Sequence, residues 1–232
     1  MLSSAHDDGV RELMGGFTGH GLAAARGGRR LFEGLDFALA PGGALVLVGP
    51  NGSGKSSLLR LMAGFGKPAA GVIAWSGEDI QDDVDAYRGR IHLLGHADAV
   101  KPGLRVGELL GFWAAVAGAE PNPSRLTVAL SAMGLSHLAE TPCRFLSAGQ
   151  RRRLALARLV AYPRPLWLLD EPSVGLDAAS LGALATMIAA HRREGGIVVL
   201  STHQDMGLGD AVVLKLDDHP PAATGDADWW TA

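Results

Sequence analysis

Ala44-Leu-Val-Leu-Val-Gly49-Pro50-Asn51-Gly52-Ser53-Gly54-Lys55-Ser56-Ser57 is the stretch on which the reading of this chain turns. The apolar run from Ala44 to Val48, bounded by glycines, reads as a buried strand. From Ser56 to Ala63 the spacing is helical, with Gly64 as the stop. Between them, Gly49 to Ser56 fits the phosphate-loop pattern G-x-x-x-x-G-K-[ST] at every fixed position and in the required strand-to-helix context. The glycines let successive backbone N–H groups turn inward around phosphate oxygens, and the helix start adds positive potential. Lys55 is then placed for the β- and γ-phosphates and the Ser56 hydroxyl for Mg²⁺, with Ser57 beside it on the first turn.

Outward from that loop, the chain alternates. Ile91–Leu94, Leu166–Leu169 and Ile197–Leu200 read as further short, fully apolar strands. Helical patterns cover 106–116, 126–133 and 147–161, and another runs from Ala178 to about Arg192 with Asp177 as its N-cap. Such alternation predicts an α/β fold: a mainly parallel sheet covered on both faces, with a small antiparallel β region near the N-terminus and an inserted helical subdomain at about 97–161. Residues 1–20 read as a loose arm, 21–216 as the folded domain and 217–232 as a tail.

Composition excludes several function classes. Of 232 residues, 47% are hydrophobic and 19% charged, which fits a globular chain and not a disordered one. Glycine reaches 32, roughly twice ordinary usage, without a Gly-X-Y period. The net charge of −3 predicts no nucleic-acid partner. A lone cysteine, Cys143, forms no internal disulfide and no multi-cysteine zinc site. No apolar run approaches the roughly 18 residues of a membrane span, and the first residues carry no secretory stretch, so membrane attachment is expected through a partner.

Two further segments carry chemistry. Leu166-Trp-Leu-Leu-Asp170-Glu171 places two acids at the C-terminal end of a strand, where open α/β sheets bind ligands. Asp170 is suited to Mg²⁺ and Glu171 to polarising an attacking water. Leu146-Ser147-Ala-Gly149-Gln150 opens a helix that Ser147 can cap; spacing alone allows either a second anion site or a plain helix cap. Arg151-Arg-Arg153 reads as a solvated helix face.

In this order, the phosphate loop, Leu-Ser-Ala-Gly-Gln and Leu-Leu-Asp-Glu-Pro resemble the ATP-binding subunit of an ABC transporter. Val174-Gly-Leu-Asp177 resembles that family's D-loop, and Ser201-Thr-His203 its switch histidine. The resemblance implies an ATP hydrolase with catalytic Glu171 and His203, a head-to-tail homodimer, and γ-phosphate contacts from Ser147 and Gly149 of the opposite subunit, with Gln150 and Asp177 also among the nucleotide-binding residues. It also implies integral-membrane transporter subunits as partners, at the cytoplasmic side of the cell inner membrane. Two positions depart from the family pattern. His96 stands where Gln is usual, and imidazole is a poorer partner for Mg²⁺. Arg26 stands where an aromatic usually stacks on adenine; a guanidinium can also stack on a ring.

Leu94-Gly95-His96, the Ser147–Arg158 run and Pro165–Pro172 are most similar to the haem-exporter ATP-binding subunits of the cytochrome c maturation system. No direct haem contact by this chain is expected, because it has no Cys-x-x-Cys-His and its histidines are scattered. Another ABC exporter, for a drug or lipid, would use the same catalytic residues; a non-transport ABC ATPase fits less well, since those usually need paired cassettes or a long insertion. For Leu109–Val116 and the 97–105 loop, docking to a membrane partner and packing within the helical subdomain both remain open.

Overall fold

The alternating strands of the 44–48, 166–170 and 197–201 segments are buried on both faces, and this sets the architecture. A computed structural model describes residues 16–120, 122–202, 204 and 206–221. His203 and the expected arm and tail at 1–15 and 222–232 lie outside the described residues.

In chain order the strands are β1 (Phe17–Arg26), β2 (Arg29–Leu39), β3 (Ala44–Val48), β4 (Ala70–Trp75), β5 (Glu78–Asp79), β6 (Ile91–Leu94), β7 (Leu166–Asp170), β8 (Ile197–Ser201) and β9 (Val212–Lys215). The helices are α1 (Lys55–Met62), α2 (Val84–Arg88), α3 (Val106–Val116), α4 (Pro123–Ala132), α5 (Ala148–Ala161) and α6 (Ala178–Arg193). One sheet is antiparallel, in the order β2-β1-β4-β5; the other is parallel, in the order β6-β7-β8-β3-β9.

Side chains on a strand alternate between faces, so each central strand feeds two cores. Leu166 and Leu168 of β7, with Ile197 and Val199 of β8, join Leu58, Leu59 and Met62 of α1 and the inner face of the antiparallel sheet. Trp167 and Leu169, with Val198 and Leu200, join the opposite core with α3, α4, α5 and α6. The helical insertion is therefore continuous with one face of the parallel sheet.

Several sequence boundaries move. The arm expected over 1–20 does not reach its far end: Phe17–His20 belong to β1, and the fully buried Phe17 ring sits 5.2 Å from Phe37 and 6.0 Å from Trp75. The tail expected from 217 likewise starts later. A 3₁₀ turn at Leu216–Asp218 leads to His219, whose carbonyl accepts from Glu33 N at 3.2 Å and whose Nδ1 donates to Gly34 O at 3.2 Å. Short polar segments hide such ties because the partner lies far away in sequence. The helix read at 126–133 begins at Pro123, capped by Asn122, whose side chain accepts from Arg125 N at 3.2 Å.

Trp113 turns into the core and Phe112 turns out, so core packing accounts for only part of that stretch. Leu109, Leu110 and Ala114 pack inward with Trp113, whereas Val116 is exposed and Phe112 carries Lys101 Nζ at 3.9 Å from its ring centroid. The helix period of 3.6 residues divides the segment between the two faces.

Within the same core, the imidazole of His92 is buried on β6 and bonded to Tyr162 O at 2.9 Å. Burial, with positive charge from Arg158 nearby, pushes its pKa down from 6.5 to about 3. The unfolded chain then binds a proton that the folded chain refuses, so stability is full above pH 6.5 and falls as the pH drops from there toward 3. Urea titrations from pH 7 to pH 4 should show a smaller loss of stability in His92→Gln than in the parent. An equal loss would remove His92 as a source.

Candidate active site

The parallel strands deliver their chemistry to one edge. Gly49 leaves β3 with φ 148°, and a Cβ there would meet Ser53 Oγ at 2.7 Å, so this turn closes only on glycine. Lys55, at the start of α1, is 8% exposed and folds back over the loop, donating to Gly49 O at 2.6 Å and Pro50 O at 3.0 Å. The ammonium thereby braces the loop from which it emerges.

Asp170 ends β7 and Ser201 ends β8, paired in register. Ser201 Oγ donates to Asp170 Oδ1 at 2.7 Å and accepts from Glu171 N at 3.0 Å; Glu171 N also reaches Ser201 O at 3.1 Å. One buried hydroxyl thus fixes both acids. Glu171 has φ 47°, a left-handed conformation that costs a non-glycine residue about 1–3 kcal/mol and clusters at functional sites. His96, exposed on the loop after β6, holds Nε2 at 3.4 Å from the second carboxylate oxygen of Asp170.

Asn51, Gly52, Gly54, Lys55, Ser56, Ser57, His96, Asp170 and Glu171 line one open cleft of about 740 Å³, with Arg26, Gly27 and Leu31 on its remaining wall. The lysine, the hydroxyls and both acids expected from sequence are therefore together. Pro50 and Ser53 face a neighbouring groove instead, beside Leu216 and Asp217. No Phe, Tyr or Trp is among the described residues of the cleft wall, and Arg26 is part of it.

Ser147, Gly149, Gln150 and Asp177 are not part of that wall. Ser147 and Gln150 form a reciprocal capping box on α5, Gln150 N to Ser147 Oγ at 3.2 Å and Ser147 N to Gln150 Oε1 at 2.8 Å. Gly149 lies against the 174–177 loop, where a Cβ would be 3.2 Å from Gly175 O. Asp177 caps α6 by accepting from Ser180 N at 2.8 Å, and the Ser180 hydroxyl, with that N–H, lowers its carboxyl pKa. Helix starts with free outward faces are anion-seeking. Ala148, between Ser147 and Gly149, lines a small groove with His96, Asp98, Arg152, Glu171, Val174 and Gly175.

The arginine run is not a solvated face. Arg151 donates to Leu146 O at 2.8 Å and Arg153 to Met133 O at 3.2 Å, while Arg152 is 6% exposed. Its guanidinium donates to Gly95 O at 2.9 Å, Asp98 Oδ1 at 3.2 Å, Asp170 O at 3.1 Å and Glu171 O at 2.7 Å. The helix period held the signal: Arg152 shares its stripe with Ala155, Leu156 and Leu159, all buried. Ser201 was likewise passed over, because a serine ending an apolar strand has no pattern of its own.

Among the described residues, no three His, Cys, Asp or Glu side chains group as a metal site. The oxygen donors Ser56 and Asp170, facing one cleft, fit a cation that also takes phosphate oxygens.

The chain is similar to known proteins in sequence and in fold. The family model described as ABC transporter matches residues 32–174. The cytochrome c biogenesis ATP-binding export protein CcmA of Rhodospirillum rubrum is 54% identical over 221 residues, covering 95% of this chain and 94% of that protein. The protein of the same description from Paramagnetospirillum magneticum is 55% identical over 205 residues, covering 87% and 94%. Among solved structures, an ATP-binding subunit of an ABC transporter superposes with TM-score 0.76 at 22% identity, over 86% of this chain and 85% of that one.

Ser201→Ala removes the donor that holds Asp170, leaving a buried carboxylate oxygen unmatched. Urea denaturation should show a loss of about 1–3 kcal/mol. A loss below about 0.5 kcal/mol would mean that this hydroxyl does not hold the two acids.

Proposed function

This chain belongs to the ABC transporter family, in the group of the cytochrome c biogenesis ATP-binding export proteins, and from that premise we propose that its ATP turnover drives haem export or release for c-type cytochrome assembly. It is an ATP-binding and ATP-hydrolysing subunit. Among the described residues no helix is long and apolar enough to cross a membrane. Transport therefore requires integral-membrane partner subunits, and we place the chain at the cytoplasmic side of the inner membrane.

The observation that carries the reading is the division of the site. Lys55, Ser56, Asp170 and Glu171 line one cleft, while Ser147, Gly149 and Gln150, at the start of α5, stand outside its lining. A site built in two halves on one chain is completed by a second copy placed head to tail. In that pairing the phosphate loop of one protomer and the Ser147–Gln150 segment of the other enclose one triphosphate, with Asp177 at the seam.

Within the site, backbone N–H groups of Gly52, Gly54 and Lys55 and the Lys55 ammonium bind the β- and γ-phosphates. Ser56 and Asp170 would hold Mg²⁺, which supplies charge neutralisation on the phosphate oxygens. The Glu171 carboxylate, fixed through its peptide by Ser201, orients the attacking water and accepts its proton. His203, by its position after β8 in the sequence, is the proposed sensor of the γ-phosphate. His96 pairs with Asp170 and takes no direct metal role, since imidazole suits softer cations. Arg26 lies against the base through its planar guanidinium. Haem itself is handled by the membrane partners.

Purification of the complex from membranes, followed by identification of the co-purifying subunits, tests the assignment. Subunits of cytochrome c assembly support it, and those of a drug or lipid exporter overturn it. Lys55→Ala should weaken ATP binding by about 10–100-fold, as loss of a charged hydrogen bond implies. Unchanged binding by equilibrium dialysis would count against the phosphate loop. Glu171→Gln should bind ATP, trap the paired state in sedimentation, and hydrolyse about 10²–10⁴-fold more slowly.

A further inference from the structure

Arg152 is a buried cation whose bonds go to two other segments, 95–98 and 170–171, and none to the helix that carries it. It stands on α5 at 6% exposure, with Ser147 and Gly149 at the start of the same helix. One nitrogen reaches Gly95 O and Asp98 Oδ1, on either side of His96; the other reaches the carbonyls of Asp170 and Glu171 at 3.1 and 2.7 Å. Only a planar fork with several fixed donors satisfies four acceptors in this arrangement. Among the described residues Asp98 is the carboxylate bonded to it, and the remaining acceptors are carbonyls.

We propose that Arg152 is a positioning residue that couples the two nucleotide sites of the paired protein. The inference rests on the head-to-tail pairing proposed above. In that pairing the first turn of α5 serves the partner's triphosphate, whereas Arg152, farther along the same rigid helix, grips the peptides of this protomer's own Asp170 and Glu171. A shift of α5 on engaging the partner's γ-phosphate is passed through the guanidinium to the peptide of Glu171, which sits in a left-handed conformation with little freedom to absorb it. The same pull acts on Gly95 and Asp98 and hence on the His96 loop. Coupling between sites requires such a rigid element with differing contacts in the two states. Each site then reports its occupancy to the other through one side chain.

The test uses the full-length chain with Arg152→Lys, which keeps the charge but not the fork, and Asp98→Asn, which keeps the shape but not the charge. Both are assayed for ATP hydrolysis over a range of ATP concentrations. Pairing is measured separately by sedimentation with the same changes placed on Glu171→Gln. The expected result is intact ATP-driven pairing and a KM within about twofold, with kcat lower by about tenfold in Arg152→Lys and less in Asp98→Asn. The Hill coefficient should fall toward about 1 in both. If pairing is intact and Asp98→Asn leaves both kcat and the Hill coefficient unchanged, the coupling role is overturned, whether or not Arg152→Lys folds. A parent enzyme that pairs but hydrolyses without cooperativity overturns it equally. Absence of pairing in Glu171→Gln alone instead overturns the head-to-tail reading beneath it.

Discussion

A 2.7 Å hydrogen bond from Ser201 Oγ to Asp170 Oδ1 joins the ends of the two most deeply buried strands of the molecule, and the site is organised around it. Both strands are apolar along their length and become polar only at the last residue. Packing on two faces leaves them no freedom to slip, because a one-residue shift would expose every leucine to the wrong core. The carboxylate and the hydroxyl therefore arrive at a fixed point. The left-handed peptide of Glu171 is held there by the same hydroxyl and by the main chain of Ser201.

The phosphate loop meets that point from the neighbouring strand. β3 pairs with β8 in parallel, so Gly49 and Ser201 leave the sheet on the same side. Lys55 folding back to Gly49 and Pro50 keeps the loop in a concave shape that costs nothing further to adopt when an anion enters. Preorganisation of this kind is what an electrostatic site needs, since donors that must first rearrange lose much of their effect.

The helical insertion is attached by charge as well as by apolar contact. Arg152 and Arg158 on α5 both reach main-chain carbonyls of the β6 segment, and Arg164 reaches Ala117 at the end of α3. Guanidinium groups suit this work because they satisfy several carbonyls at once and stay charged when buried. The price is desolvation, visible at Arg158, whose pKa is lowered mainly by burial.

Much of this was legible in the sequence, because local patterns are short-range physics. The apolar runs 166–169 and 197–200, the Asp170-Glu171 pair, the glycines around Lys55, and the Ser147 cap each declare themselves within a few residues. Their order along the chain was enough to recognise the family and the chemistry. Arg152 gave no such declaration: three consecutive arginines look like a wet surface until the helix turns the middle one toward carbonyls 18 to 57 residues away. The segments at both ends of the domain were equally silent, since β1 finds its partners in β2 and β4 and the 216–221 segment finds its own in β2. Sequence by itself determined which groups could do the chemistry, because residue type and spacing fix local backbone shape. Tertiary structure alone decided which groups meet, because burial and hydrogen-bond satisfaction are settled between segments that the chain keeps far apart.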